Sequence, residues 1–468
     1  MNYDLIGFKC GIEIHNRLTT KHKLFCNCPP KFSEQKPVKI IKRKLRPVAG
    51  EMGKVDIAAT YEYLKGKTFN YQVFSDTSCL VECDEEPPHE LNSEALTIAL
   101  QICKLLRAKI PEEIHIMRKT VIDGSNTSGF QRTALVGTNG TLDTSKGPVR
   151  IANICLEEES CGIVEKNDTI ITYRLDRLGI PLIEIGTEPD IKDPEHAKEV
   201  AEKLGMIVRS TGKSQRGIGV IRQDINVSVK GGKRVEIKGF QDLDMIPKVI
   251  DFEINRQVGL VKHNQSKEET RLAKPDGSTD YMRPLPGGER MYPETDVPPI
   301  VITKEFLSSI KTPETWELKL ERLEKILPKD LANQVLKSEY LDLFEKYYKT
   351  NPILIATTFT STLKDLSRRG FETSNLKEEH FNELFRKNLP KEAIMTTLEN
   401  LCKNPDAKIE SDVISDETLH NIVKDVIDRN PELVKENKIS ALMGDVMKQV
   451  KGRVDGKKVM ELLKKELR

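Results

Sequence analysis

From Phe8 to His15 the chain alternates without a break: Phe8, Cys10, Ile12 and Ile14 are apolar, while Lys9, Gly11, Glu13 and His15 are not. A period of two is that of a strand with one buried face, so the chain must build a sheet whose other face carries the polar set. Glu13 and His15 then project to the same side, about 7 Å apart along the strand. The pattern returns in residues 154–157, 183–185, 221–229 and 235–238, which set Glu157, Glu184, Asp224 and Glu236 against branched apolar residues. A surface sheet usually mixes both signs of charge on its wet face. Carboxylates in otherwise apolar company point instead to a sheet face that holds metal. Ordinary strand pairing, such as Glu236 with Lys238, explains any one of these residues equally well, but it explains the five runs together less well.

A chain of 468 residues exceeds one core and calls for roughly two to four domains. Its 38% hydrophobic and 31% charged residues describe a soluble protein with a core and a heavily charged surface. The formal charge of +2 supplies no global field for nucleic acid. Local contrasts remain: Asp84-Glu85-Glu86 and Glu157-Glu158-Glu159 are acidic, while Lys448, Lys451, Arg453, Lys457, Lys458, Lys464, Lys465 and Arg468 make the last segment basic. No run approaches the ~18 apolar residues of a membrane span, and Met1-Asn2-Tyr3-Asp4 does not resemble a signal peptide. A cytoplasmic protein without a membrane partner is expected.

Nine cysteines scattered without a secretion signal argue against a disulfide framework. Cys26-Asn27-Cys28 and the pair Cys79 and Cys83 offer four thiolates for structural zinc, although C-x-C with C-x3-C is not the common C-x2-C knuckle. Reduced structural cysteine is the plainer alternative.

Up to about residue 300 the chain is rich in Gly, Thr and short strand runs, broken by turn signals such as Asp123-Gly124 and Lys230-Gly231-Gly232-Lys233. Two helices interrupt them, at 93–107 and at 194–211, the second opened by Asp193 as N-cap and Pro194 in the first turn. From Lys304 onward Leu, Lys and Glu recur at helical spacing, and a polar stretch around Asn404-Pro405 reads as a linker to a last helical module. An α+β fold follows, with units at 1–303, 304–402 and 403–468.

Two phosphate motifs fail. Ser210-Thr211-Gly212-Lys213-Ser214 imitates a P-loop, but Ile207 stands where its first glycine belongs. Gly217-Ile218-Gly219 is followed by Arg222 where a dinucleotide fingerprint needs glycine. Any phosphate chemistry here must therefore use the sheet and metal ions. Magnesium takes hard oxygen ligands, usually one or two carboxylates plus substrate phosphates. A face carrying Glu13, Glu157 and Glu184 with His15 beside them offers such a set for one or two ions, with Arg118, Lys119, Arg222 and Lys238 as cations for the phosphates of ATP. The polar loop 118–132, with Ser125, Asn126, Thr127 and Ser128, has the composition of a binding loop.

Gly11-Ile12-Glu13-Ile14-His15, Leu45-Arg46-Pro47-Val48-Ala49-Gly50-Glu51, Asp84-Glu85-Glu86-Pro87-Pro88, the loop 118–132, residues 176–185, residues 221–226 and Met291-Tyr292-Pro293-Glu294-Thr295-Asp296 stand in an order that resembles the GatB/GatE family of tRNA-dependent amidotransferases along essentially the whole chain. The loop 118–132 and the run Gln215-Arg216-Gly217-Ile218-Gly219 favour its GatE branch. The resemblance implies phosphorylation by ATP and magnesium of the γ-carboxylate of glutamate mischarged on tRNA(Gln), then displacement of phosphate by ammonia. It implies metal ligands at Glu13, His15, Glu157 and Glu184, and ATP or substrate contacts extending to Asp224 and Glu236. Alternation favours Glu157 over Glu158, which shares its face with Leu156. The fold implied is a strand-rich cradle, a helical domain and a YqeY-like tail that grips tRNA. The partner implied is a GatD-like asparaginase that liberates the ammonia, in a heterotetramer. A GatB-type subunit working with GatA and GatC, or a non-catalytic tRNA-binding scaffold, are the other readings. One departure stands out: GatE proteins normally carry an inserted domain before Glu269-Thr270-Arg271, and here Phe252 runs through Gln265 almost directly to Glu269.

Overall fold

The alternating segments become strands, and their register turns the alternation into two chemically distinct faces. A computed structural model describes residues 2–215, 220–240, 242–338, 340–387, 389, 391–409, 416–435, 438–450 and 456–467. Arg216, Gly217, Ile218 and Gly219, and in the tail Lys451, Arg453 and Arg468, lie outside the described residues. In chain order the strands are β1 (Lys9–Arg17), β2 (Lys39–Arg43), β3 (Thr68–Val73), β4 (Glu113–Ile114), β5 (Ile116–Thr120), β6 (Phe130–Leu142), β7 (Val149–Glu158) and β8 (Gly162–Lys166). They continue with β9 (Ile170–Arg174), β10 (Pro181–Thr187), β11 (Ile221–Ser228), β12 (Val235–Lys238), β13 (Glu269–Ala273), β14 (Thr279–Pro284), β15 (Met291–Pro293) and β16 (Ile300–Val301).

Ten strands form one sheet in the order β14-β13-β12-β11-β1-β10-β7-β6-β5-β15, antiparallel throughout except where β12 meets β13. One face buries Ile12, Ile14, Ile154, Leu156, Ile183, Ile185, Ile225 and Val227 under helices α2 (Ser93–Leu105), α3 (Pro194–Ser210) and α4 (Ile246–Lys262). Both helices expected from the sequence are therefore present, and Asp193 caps α3 by accepting from the His196 N–H. Two more carry no clear signal in the sequence. Helix α1 (Ile57–Leu64) is too short to show a period, and in α4 the buried stripe Ile246, Val249, Ile250 and Ile254 is β-branched, which blurs the helical pattern.

The two edges of this sheet, β14 and β15, are joined only by residues 285–290. Ten flat strands about 4.8 Å apart would separate those edges by roughly 43 Å. The Cα steps from Pro284 to Met291 reach about 25 Å at most. The sheet therefore curls, with residues 285–290 as a strap across the opening.

A second sheet, β2-β3-β9-β8, has its own aromatic core of Phe69, Tyr71, Tyr173 and Leu175. It fixes part of the polar loop: the Tyr71 hydroxyl donates to the Gly124 carbonyl at 2.8 Å and the Tyr173 hydroxyl to the Asp123 carbonyl at 2.9 Å. Gly124 has φ +88°, and a Cβ there would lie 2.2 Å from the Phe69 ring, so only glycine fits.

The chain divides into two compact units, Met1–Trp316 and Glu317–Arg468. The first runs past the expected boundary at 303 because α5 (Lys304–Ser309) belongs to its core: Phe306 and Leu307 pack there, and Lys104 Nζ holds the carbonyls of Leu307 and Ile310 at 2.7 Å. Among the described residues no strand follows Val301. Within the second unit, helices Asp416–Arg429, Ile439–Val450 and Gly456–Glu466 share a core of Leu419, Val423, Val426, Leu442, Val446, Val459 and Leu463. Among the described residues no helix is long and apolar enough to cross a membrane.

Candidate functional site

Register places the polar residues of seven adjacent strands on one wall. Glu13 of β1 stands opposite Asp224 of β11, and His15 lies between Glu184 of β10 and Arg222 of β11. Leu182 of β10 faces Glu157 of β7, which faces Thr133 of β6. Gln131 of β6 pairs with Lys119 of β5 at the far side, and Asn226 of β11 pairs with Glu236 of β12 at the near side. A slip of one residue in any strand would send its acid into the helix-covered core.

The four ligands expected to meet at one point divide into two clusters. His15, Glu157 and Glu184 bring ligand atoms within 4.8 Å of one another, and so, separately, do Glu13, Asp224 and Glu236. The reason lies in the strand itself. Glu13 and His15 are one pleat repeat apart, so each meets the neighbours of its own register position. His15 stands between the two groups, with Nε2 at 3.1 Å from Glu184 Oε2 and Nδ1 at 3.9 Å from Asp224 Oδ2.

Buried carboxylates need partners. Lys119 Nζ lies 2.5 Å from Glu157 Oε1 and 3.5 Å from Glu184 Oε2, while Lys238 Nζ lies 2.5 Å from Asp224 Oδ2 and 3.0 Å from Glu236 Oε1. Gln131 orients Glu157 by donating to its Oε2 at 3.0 Å and to the Glu158 carbonyl at 2.7 Å. Burial alone would raise Glu184, but Lys119 and His15 outweigh it and hold this carboxyl well below the usual range. Burial, with Glu184 and Glu236 nearby, pushes Glu13 up to about 7.

These residues line a cavity of about 420 Å³ that also takes in Arg222, Ser125, Asp56 of the α1 cap, and Arg283 and Arg290 from beside and within the strap. Among the described residues nine carboxylates and five lysines or arginines line it, so their excess is negative. In this acid-rich cavity two donor groups, one of three carboxylates and one of two carboxylates with an imidazole nitrogen, fit divalent cations, which a phosphate-bearing substrate would need in order to enter. His15, Glu157 and Glu184 would hold one ion, and Glu13, Asp224 and Glu236 a second.

The polar loop divides between two places. Lys119 and Ser125 face this cavity, but Asn126, Thr127 and Ser128 line a separate small one with Glu82 and Cys26. The Thr127 hydroxyl donates to the Glu82 carbonyl at 2.7 Å and the Ser128 hydroxyl to the Phe130 carbonyl at 2.9 Å, so these side chains hold the fold here. Arg118 is drawn to Glu294 and Asp296 and lies over the Phe130 ring. Glu158 turns to the opposite face, where Arg132 binds it.

The thiols correct the expected zinc set. Cys26, Cys28 and Cys79 converge with Glu82, all ligand atoms within 4.8 Å, while Cys83 points into the aromatic core with Tyr71 and Tyr173. One turn of chain after Cys79 therefore delivers Glu82 and carries Cys83 past the site. The neighbouring Cys26 and Cys79 thiols pull Cys28 below the usual thiol range. Lys23 Nζ, fully buried, lies 2.7 Å from Glu82 Oε1. Three sulfurs and a carboxylate make a donor set that suits zinc.

Away from the cavity lining, Glu294 ties β5 to β6 through Arg118 and Arg132. Its side chain is buried, Arg132 Nε donates to it at 2.7 Å, and Arg118 pairs with its other oxygen. Burial would raise this carboxyl, yet Arg118, the Asp296 N–H and Arg132 bring it down to about 2 from an ordinary 4.5. Because the folded value is depressed, its contribution is complete above about pH 4.5 and is lost as pH falls toward 2. Glu294→Gln, which leaves two arginines short of a partner, is expected to lower unfolding free energy by about 3–5 kcal/mol. Urea midpoints at neutral pH read the loss, and the variant should show a shallower decline than wild type on acidification.

Comparison with known proteins then decides the family. The GatB/GatE catalytic domain matches residues 8–308, and a GatB domain matches residues 342–467. The chain belongs to the GatB/GatE family. Its relatives include the E subunit of the glutamyl-tRNA(Gln) amidotransferase of Methanocaldococcus jannaschii, 37% identical over 626 residues, covering 100% of this chain and 99% of the relative. The protein of that name from Archaeoglobus fulgidus is 38% identical over 609 residues with the same coverage. This GatB/GatE chain has 468 residues against 626 aligned positions, a difference of 158 that has no counterpart here. Its α4 ends at Lys262 and β13 begins at Glu269, so the place expected for an inserted domain is a short join.

Proposed function

We propose that this chain is the kinase and amidating subunit of a glutamyl-tRNA(Gln) amidotransferase. The observation that carries this reading is the pair of acidic clusters, side by side on one wall of a cavity, in a chain of this family. A carboxylate resists ammonia because its oxygen is a poor leaving group. Transfer of the γ-phosphoryl group of ATP to the glutamate γ-carboxylate makes an acyl phosphate and releases ADP. Ammonia then attacks the carbonyl carbon, the C–O bond to phosphate breaks, and inorganic phosphate leaves as the amide forms. Magnesium, when bound, would neutralise phosphate charge on the carboxylate wall.

The chain's own residues supply the rest. Lys119 and Lys238 place a cation beside each cluster, where phosphate charge shifts during transfer. Gln131 keeps Glu157 from rotating, as groups behind a metal ligand do.

Ammonia from a GatD-like asparaginase in a heterotetramer, tRNA(Gln) charged with glutamate as substrate, and a cytoplasmic location complete the proposal. The names of the relatives favour this GatE-type reading over a GatB-type one. The test is ATP hydrolysis that depends on mischarged tRNA(Gln), and its absence in the purified complex would reduce the chain to a scaffold. Zinc on Cys26, Cys28, Cys79 and Glu82 belongs to the same reading, with a structural role. Cys79→Ser is expected to empty the site and Cys83→Ser to leave it filled, as measured by metal content of the purified chain. Equal zinc in both would remove the assignment.

A further inference from the structure

Among the described residues five lysines or arginines line the carboxylate-walled cavity, and three of them are already engaged. Lys119 and Lys238 are paired within the clusters, and Arg222 donates to Glu159 at 2.9 and 3.0 Å. Arg283 and Arg290 differ. Among the described residues, neither guanidinium makes a hydrogen bond or an ion pair, and Arg283 Nε is buried without a partner. An unsatisfied buried donor is costly to keep, so a ligand that satisfies it is the simplest explanation.

The backbone that carries these two residues is held in place. Arg283 lies at the end of β14 and Arg290 just before β15, so the pair brackets the strap over the opening. The Gly287 N–H donates to Asp56 Oδ2 at 2.8 Å, while Asp56 Oδ1 caps α1 through the Ala59 N–H at 2.9 Å. On the other side the Glu51 N–H donates to the Met291 carbonyl at 3.1 Å. Gly50 lets the two segments touch, since a Cβ there would lie 1.8 Å from the Glu289 carbonyl oxygen. Arg290 is near enough to the wall for its charge to act on Glu184 and Lys119.

We propose that Arg283 and Arg290 form a phosphate clamp, receiving the phosphate oxygens of the nucleotide across the cavity from the carboxylate wall. The proposal rests on the kinase reading above and deepens it. An anion beside a wall of carboxylates needs cations on both sides: divalent ions at the wall, and guanidinium forks at the strap, which suit phosphate oxygens. Asp56 and Gly50 act through the strap and are positioning residues.

Binding of magnesium ATP, magnesium ADP and adenosine to the full chain, followed by calorimetry, tests the assignment. Arg283→Gln and Arg290→Gln are each expected to weaken ATP binding about ten- to a hundredfold, with adenosine binding unchanged and lysine at either position recovering part of the loss. Arg150→Gln, at an exposed pair with Asp190, serves as the control. Gly50→Ala should weaken ATP binding without removing any charge. Wild-type ATP affinity in both glutamine variants overturns the clamp alone, provided wild type binds ATP. Wild type without ATP binding overturns the kinase reading and the clamp with it. Loss of affinity for tRNA instead of ATP reassigns the two arginines to the nucleic acid and also overturns the clamp.

Discussion

Glu184→Gln is expected to reduce ATP hydrolysis dependent on mischarged tRNA(Gln) at least about a hundredfold, since even groups behind a metal ligand matter ten- to a hundredfold. The substitution keeps shape and removes charge. Glu184 faces His15 at 3.1 Å and Lys119 at 3.5 Å, so an amide there leaves the lysine without part of its partner and the cluster with one carboxylate fewer. Manganese binding followed by electron paramagnetic resonance should weaken in parallel, which separates a lost ion from a misfolded chain. Glu158→Gln is the informative comparison. Glu158 is adjacent to a proposed ligand but faces Arg132, so its loss should cost stability and leave hydrolysis near wild type. Similar hydrolysis in Glu184→Gln and wild type would sink the metal assignment. Glu236→Gln tests the second cluster in the same assay: a comparable fall supports two ions, and normal activity restricts the requirement to the first.

The alternation in β1, β7, β10, β11 and β12 makes the polar face readable in the sequence alone. Strand period is a local property, and it assigns Glu157 inward and Glu158 away without knowledge of any neighbour. What alternation cannot provide is pairing across the sheet. Whether Glu13 meets Glu184 or Asp224 depends on register between strands about 170 and 210 residues apart in sequence, and two clusters result where one is expected. The thiol set goes astray for a related reason. Cys83 matches by residue type, but the turn after Cys79 aims Glu82 at the sulfurs, and a carboxylate among cysteines carries no spacing signal. Arg283 and Arg290 are silent in the sequence because nothing local distinguishes them. Their meaning comes from the strap that joins the two edges of a curled sheet. The loop 118–132 is unusual in composition, yet half of its polar groups serve the fold, as Thr127 and Ser128 do.

Removal of residues beyond about 405 is expected to weaken tRNA binding roughly ten- to a thousandfold at moderate salt and to flatten its salt dependence, with ATP binding retained. Helix Lys391–Lys403 ends just before the cut. The helices after it bury their own apolar residues, Leu419, Val423, Leu442, Val446, Val459 and Leu463, so the cut removes a cluster with its own core. The last helix, Gly456–Glu466, carries Lys464 and Lys465 in its final turn, with Val459 and Leu463 buried. Lysines concentrated on an outward face release counterions when they meet phosphates, and each lysine–phosphate pair removed lowers the slope of log affinity against log salt by about one. Binding of tRNA(Gln) at two salt concentrations separates this from a general loss of structure, because a damaged fold lowers affinity at both without changing the slope. Equal affinity and equal slope in the truncated and full chains would leave the basic helix as a solvated face and give the whole of tRNA recognition to the rest of the chain.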